Sequence, residues 1–402
     1  MTDKKRLVFR TMESFIRTHN YLVEHVNAPV RRLLMDEVDW THRLIGIKGS
    51  RGVGKTTFLL QYAKERFGTS PQCLYINFNN FYFTQHSLVE FAGDFYNRGG
   101  RTLLIDQTFK YENWSKELRQ CYDLYPELQI IFSGSSVMRL IEDNEDLMDV
   151  VKSYHLRGFS FREYLNLQAG TIFPAYSLED ILKHHEKIAA DIVQSVKPLW
   201  YFQDYLHHGF YPFFLENRNY SENLLKTMNM MLEVDILLIK QIELKYLSKI
   251  RKLLHILMNT APCSLNVSQL SMEIETSRAT IMNYIKYLQD ARLLNLLYTK
   301  GAHQSKKPSR VFLHNTNLLY AVSMSKPDEL SVMETYLYNM LQARHTVYAK
   351  RKGTSFSVNE KEFCVYAANQ KVKKNEHIIN AISGLEIGHK NNIPLWLFGF
   401  LY

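Results

Sequence analysis

The octapeptide Gly49-Ser50-Arg51-Gly52-Val53-Gly54-Lys55-Thr56 constrains the fold of this chain more than any other feature. It matches G-x-x-x-x-G-K-[ST] in full, a pattern that arises by chance in roughly one per cent of chains this long. An apolar stretch, Arg43 to Lys48, runs directly into it, and a helical pattern from about Thr56 to Phe67 follows. Glycines let successive backbone N–H groups turn inward as a concave anion nest, and the helix opening there adds the positive end of its dipole. In such a loop Lys55 reaches the β- and γ-phosphates and the Thr56 hydroxyl ligates Mg²⁺, with Thr57 closing the cradle. The ligands expected are ATP and Mg²⁺.

Three further apolar runs read as strands: Cys73 to Phe78, Thr102 to Asp106 and Gln129 to Ser133. Helical patterns separate them, which is the βαβ alternation of a parallel sheet covered on both faces. A phosphate-binding loop needs an acidic residue at the end of a neighbouring strand to hold magnesium, and Leu103-Leu104-Ile105-Asp106 supplies one. An unpartnered carboxylate at the end of so apolar a strand would be costly, which favours a role for Asp106 over a simple turn cap.

Gln107 follows Asp106. Its amide is a far poorer proton acceptor than a carboxylate, although a Gln can still orient water. The expectation is retained binding with slow or absent hydrolysis, Glu112 being a nearby acid that nothing in the spacing selects. The fourth strand ends in Ser133-Gly134-Ser135-Ser136; Ser133 and Ser135 fall on one side, facing a γ-phosphate or capping a turn. Ser133 is assigned to the site with Lys55 and Gln107.

These residues together resemble the AAA-superfamily P-loop ATPases of bacteria and archaea. The resemblance is carried by GSRGVGKTT, LLIDQ, Trp114, IIFSGSS and SFREYL (Ser160 to Leu165). In that group the ATPase precedes a winged helix and a C-terminal domain of unknown function that is compared with restriction endonucleases. KPSRVFLHNTNLLYA (Lys307 to Ala321) and NIPLWLFGFLY (Asn391 to Tyr402) resemble a Bacteroides-type branch. The chain departs from the group twice. Asp106-Gln107 stands where the group has Asp-Glu, with Phe109 where His is common. Phe363-Cys364-Val365-Tyr366 stands where Phe-Glu-Val-Gly-Gly is common, leaving Glu334, Glu360, Glu362 and Lys371 as remnants of a metal-dependent nuclease site. Cys364, a soft thiol, suits Mg²⁺ poorly. Arg157 and Arg162 in LRGFSFREYL are both candidates to contact a γ-phosphate, and Arg162 is assigned; a local ion pair with Glu163 is the competing reading.

Beyond the sheet, Phe161 to Leu247 reads as helical with Gly/Pro breaks. Short helices opening at Asn266 and Thr276, then strands Leu293 to Tyr298 and Arg310 to Leu313, resemble a helix-turn-helix with a wing. A DNA-reading helix there would project Arg278, Thr280, Asn283 and Lys286, with Lys300, Lys306, Lys307 and Arg310 on the wing. Packing within the chain is the alternative. Lys371, Lys373 and Lys374 could also meet phosphates, a solvated turn being the favoured reading. The apolar tail reads as a strand docked into a core. The fold class expected is α/β: a P-loop NTPase parallel sheet flanked by helices, then a helical region, a winged-helix domain and a small α+β C-terminal domain. The boundaries are an N-terminal helical arm 1–40, the ATPase core 41–165, the helical region 166–247, the winged helix 248–313 and the last domain 314–402.

The net charge of +9 sits at the two ends: residues 1–70 and 301–402 each carry 13 Lys/Arg against 7 Asp/Glu, and the middle is slightly acidic. Basic ends suit a polyanionic partner, or simply a solvated surface. Four cysteines without a CxxC pair fit reduced thiols in a cytoplasm, and no apolar run is long enough to span a bilayer. The function expected is an ATP-binding AAA-type switch with slow or absent turnover, ATPase chemistry if active, and no membrane association. The alternatives are a nucleic-acid-binding module with a regulatory ATP site, or an interaction protein with a structural nucleotide. Assembly into an oligomer is compatible with each.

Overall fold

The computed structural model describes residues 3–138, 144–216, 219–301, 307–322, 327–350, 356–368, 370–372, 375 and 377–402, without the side chains of 3–11 and 322. Lys306, Lys373 and Lys374, named as candidate phosphate contacts, lie outside the described residues. The chain divides into two compact units, 1–157 and 158–402. The arm and nearly all of the expected ATPase core fall in the first unit. The expected helical region, winged helix and C-terminal domain fall together in the second.

The first unit is built on five parallel strands: β1 Leu44–Gly49, β2 Cys73–Asn77, β3 Thr102–Asp106, β4 Gln129–Ser135 and β5 Lys152–His155, in the order β2-β3-β4-β1-β5. Leu44, Ile45, Ile47, Leu103, Leu104, Ile105, Ile131 and Phe132 are all fully buried, as a sheet with both faces covered requires. The register sets Gly49 against Ser135 and Asn77 against Asp106, so the carboxyl ends of β1, β2, β3 and β4 converge. That end is where open α/β sheets bind ligands.

The N-terminal helix, Asp3–His25, covers the edge strand β2. Met12, Phe15, His19 and Val23 are its buried stripe, and the Phe15 ring packs against Tyr82, Phe83 and Phe91 at centroid distances of 5.6, 5.9 and 5.0 Å. The chain leaves the helix before Asn27-Ala28-Pro29, where proline bars its continuation.

In the second unit, helices begin at side-chain caps readable in the sequence. Ser160 and Glu163 form a reciprocal capping box on the helix Phe161–Ala169, which Gly170 ends with a left-handed φ of 67°. Ser177, Asn266 and Ser277 cap the helices Leu178–Ser195, Val267–Glu273 and Arg278–Asp290. The strands are β6 Leu294–Thr299, β7 Arg310–Leu313, β8 Tyr348–Ala349, β9 Phe356–Val358, β10 Lys361–Tyr366, β11 Ile378–Ile382 and β12 Asn392–Pro394. They form one mixed sheet, β12-β11-β10-β9-β8-β6-β7, because β6 pairs antiparallel with β7 and parallel with β8.

The tail is buried as expected, but only Asn392–Pro394 is strand; Leu395–Phe400 winds into a 3₁₀ turn. The turn buries all six consecutive residues, five of them large and apolar, which a strand lying on one core cannot do. Tyr336 donates its hydroxyl to the Trp396 carbonyl at 3.1 Å, and the Trp396 indole donates to the Leu385 carbonyl at 3.1 Å. A Cβ on Gly399 would stand 2.4 Å from the Phe161 Cβ, so glycine is required there. Among the described residues, no helix is long and apolar enough to cross a membrane.

Candidate nucleotide site

The loop between β1 and the helix Lys55–Arg66 turns through two left-handed glycines, Gly52 (φ 84°) and Gly54 (φ 92°). A β-carbon at Gly49 would meet the Leu156 carbonyl oxygen at 2.4 Å, so the strand can leave the sheet there only as glycine. Ser50 and Val53 are buried, while Arg51, Gly52 and Gly54 are half-buried. The Lys55 ammonium donates to the Gly49 and Ser50 carbonyls, both at 2.9 Å, which keeps it over the mouth of the loop. Thr57 is half-buried in the first turn of the helix.

Asp106 organises the other side. It is 1% exposed, and its carboxylate accepts four hydrogen bonds. Oδ2 takes the Thr56 hydroxyl at 2.7 Å and the Tyr75 hydroxyl at 2.9 Å. Oδ1 takes the Gln107 amide N–H at 2.9 Å and a short bond from the Ser133 hydroxyl. The buried charge is thus fully hydrogen-bonded, which makes its burial tolerable. Gln107 sits in the left-handed region at φ 56°, an unusual place for its residue type. Its N–H also donates to Ser133 Oγ at 3.0 Å, and its side-chain oxygen accepts from Asn79 Nδ2 at 2.8 Å.

Lys55, Thr56, Asp106, Gln107 and Ser133 therefore converge at one end of the sheet. Ser135 is directed to local structure instead, accepting from Val137 N at 3.3 Å. Glu112 is exposed. Arg162 lies in the second unit, where its guanidinium donates to the Tyr402 carbonyl at 3.1 Å and the Phe173 carbonyl at 3.3 Å and stands 3.9 Å from Glu163. Its side chain is 9% exposed, and these contacts give it a place in the core beneath the tail.

Three residues outside the motif complete the site. Tyr75 and Asn79 are described above; the third is Arg32. Its buried guanidinium donates to Val53 O within the loop at 3.2 Å and to Arg157 O at 2.7 Å. The Val53 contact braces the loop from the N-terminal arm. No spacing rule ties Arg32 to the motif, so only the folded arm reveals it.

On the second unit, Arg278, Asn283 and Lys286 are exposed along the helix Arg278–Asp290, opposite the buried Ile281, Tyr284, Ile285 and Leu288. Thr280 is half-buried, its hydroxyl engaged with the cap Ser277 at 2.8 Å. Arg310 faces inward to the buried Glu334 at 2.5 Å. Glu360 pairs with Lys300 at 3.2 Å and Glu362 with Lys350 at 3.4 Å. The three acids are thus dispersed into separate ion pairs, and among the described residues no group of three or more His, Cys, Asp or Glu could hold a metal.

Residues 199–329 match a family described only as a domain of unknown function. No curated protein matches the chain. Solved structures that resemble it include AMPPCP-bound DnaA from Aquifex aeolicus, 15% identical, covering 72% of this chain and 89% of that one with a TM-score of 0.26. The Aeropyrum pernix Orc1 protein in complex with DNA is 12% identical, with coverage of 77% and 91% and a TM-score of 0.28. C. elegans PCH-2 is 15% identical, with coverage of 71% and 67% and a TM-score of 0.23. At such scores the superposable part is small. Residues 41–165, by contrast, match the family described as AAA domain. With its parallel sheet and phosphate-loop geometry, this segment is an AAA-type P-loop domain.

Proposed function

We propose that the chain binds MgATP at Gly49–Thr57 and Asp106 and acts as a nucleotide-held switch in the cytoplasm, with slow or absent hydrolysis. The observation that carries this reading is the convergence of Thr56, Asp106, Ser133 and Gln107 beside the glycine loop. The donor set fits the group. Hydroxyl and carboxylate oxygens suit a hard divalent cation, and the Thr56 hydroxyl can donate to Asp106 while keeping a lone pair for metal. When bound, Mg²⁺ supplies charge neutralisation at the phosphate oxygens. Lys55 lies where a cation can meet the same oxygens. Gln107 supports the slow-turnover part: its carboxamide is a weak base, and its oxygen is already shared with Asn79.

Binding and steady-state hydrolysis of MgATP, measured on the wild type, Lys55→Ala and Gln107→Glu, test this. The expected result is tight binding with little turnover in the wild type, turnover gained in Gln107→Glu, and binding lost in Lys55→Ala. Brisk wild-type turnover unchanged by Gln107→Glu sinks the slow-switch reading.

A second reading, nucleic-acid contact through a winged helix formed by residues 248–313, draws on the exposed Arg278, Asn283 and Lys286. It requires affinity that falls steeply with salt, because phosphate neutralisation releases counterions. Binding that survives Arg278→Ala/Lys286→Ala with an unchanged salt slope removes it.

A further inference from the structure

Tyr75 stands at the centre of β2 with 5% of its surface exposed, and nothing in the phosphate-loop motif calls for it. Its hydroxyl donates to Asp106 Oδ2 at 2.9 Å, the same oxygen that receives the Thr56 hydroxyl. Two further contacts hold the residue, one at its hydroxyl and one at its backbone amide. Asn77 Nδ2 reaches the Tyr75 hydroxyl at 3.4 Å from the residue that pairs with Asp106 across the sheet. On the outer edge of β2, the Tyr75 amide donates to His19 Nδ1 of the N-terminal helix at 3.0 Å.

We propose that Tyr75 is a positioning residue for the magnesium-binding carboxylate. It holds Asp106 Oδ2 in the orientation in which the carboxylate and the Thr56 hydroxyl serve one cation. This assignment rests on the nucleotide-site reading above. Without the phenol, Oδ2 keeps only the Thr56 bond among the two hydroxyl contacts, and Thr56 is the very group needed at the metal. Outer partners of metal-binding groups govern metal affinity about as strongly as this: their loss costs roughly 10- to 100-fold.

The test titrates Mg²⁺ into the full-length protein with a fluorescent ATP analogue, and separately measures analogue binding in EDTA. For Tyr75→Phe, the Mg²⁺ concentration giving half-maximal effect is expected to rise roughly tenfold. Affinity in EDTA stays near wild type, where a merely structural role would lower it; the melting temperature falls only by what one lost hydrogen bond to a buried carboxylate costs. An unchanged Mg²⁺ titration in Tyr75→Phe, with Asp106→Asn shifted, overturns the assignment alone. If Asp106→Asn is unshifted too, the nucleotide-site reading fails and takes this one with it. Should Tyr75→Phe not fold, Asn77→Ala decides: a smaller shift in the same sense supports the assignment, and none overturns it.

Discussion

His19 is a buried histidine whose ring accepts a hydrogen bond at Nδ1, so its proton resides on Nε2, which has no partner among the described residues. Burial lowers its pKa from 6.5 to about 4. Above pH 6.5 the ring is neutral in folded and unfolded chains alike and adds no pH dependence. Between pH 6.5 and 4 the unfolded chain takes up a proton that the folded one refuses, so stability falls as pH falls, by about 3 kcal/mol across the whole window. Denaturant unfolding of the wild type at pH 7.5 and 5.0 should show this residue's share, about 2 kcal/mol, disappearing in His19→Asn. Asn keeps an acceptor for the Tyr75 amide and cannot titrate. An equal pH slope in the variant removes His19 as the cause. The same residue marks a limit of the sequence. Lys55, Thr56, Asp106 and Ser133 are legible because motif and strand ends locate them. His19, Arg32 and Tyr75 act across 56, 21 and 31 residues of chain, a separation that periodicity does not encode.

At the level of elements, the segment His314-Asn315-Thr316-Asn317 has a mechanical explanation. The helix Pro198–Asp204 continues into a π-helical turn, Tyr205–Gly209, which leaves backbone groups without regular helical partners. Asn317, fully buried, meets them. Its Nδ2 donates to Tyr205 O at 3.1 Å and Leu206 O at 2.9 Å; its Oδ1 accepts from Phe210 N at 2.8 Å and the Tyr220 hydroxyl at 2.5 Å. Asn317→Leu fills similar space but strands these groups in an apolar interior, and should destabilise the second unit by roughly 3 kcal/mol or more in denaturant unfolding. A loss below 1 kcal/mol contradicts this role. Other elements escaped the sequence for equally physical reasons. The edge strand β5 carries no buried residue and is Lys-Ser-Tyr-His, so it lacks the apolar run that exposes β1, β3 and β4. Strands β8, β9 and β12 are two or three residues long, too short for any period to emerge.

For the whole molecule, the phosphate loop, Asp106 and the arm residues that brace them all lie within 1–157, one compact unit. The parallel sheet was legible because it is apolar on both faces. The mixed sheet of the second unit was not, because its parallel β6–β8 pairing joins residues about fifty apart, across β7 and the helices Thr316–Val322 and Glu329–Leu341, and ends on a strand of only two residues. A ligand that binds only the folded state stabilises it by mass action, about 2.7 kcal/mol at a hundredfold excess over Kd. MgATP should therefore raise the unfolding free energy of the 1–157 unit by about that amount, and slow hydrogen exchange should appear in peptides covering β1, the loop and β3. Peptides of the second unit supply the comparison: protection gained there as strongly as around Gly49–Thr57 means that nucleotide order propagates along the chain. Lys55→Ala should erase the stabilisation, since Lys55 is the cation that such a loop directs at the β- and γ-phosphates. If the stabilisation persists in Lys55→Ala, the nucleotide is binding elsewhere, and the phosphate loop is a structural turn.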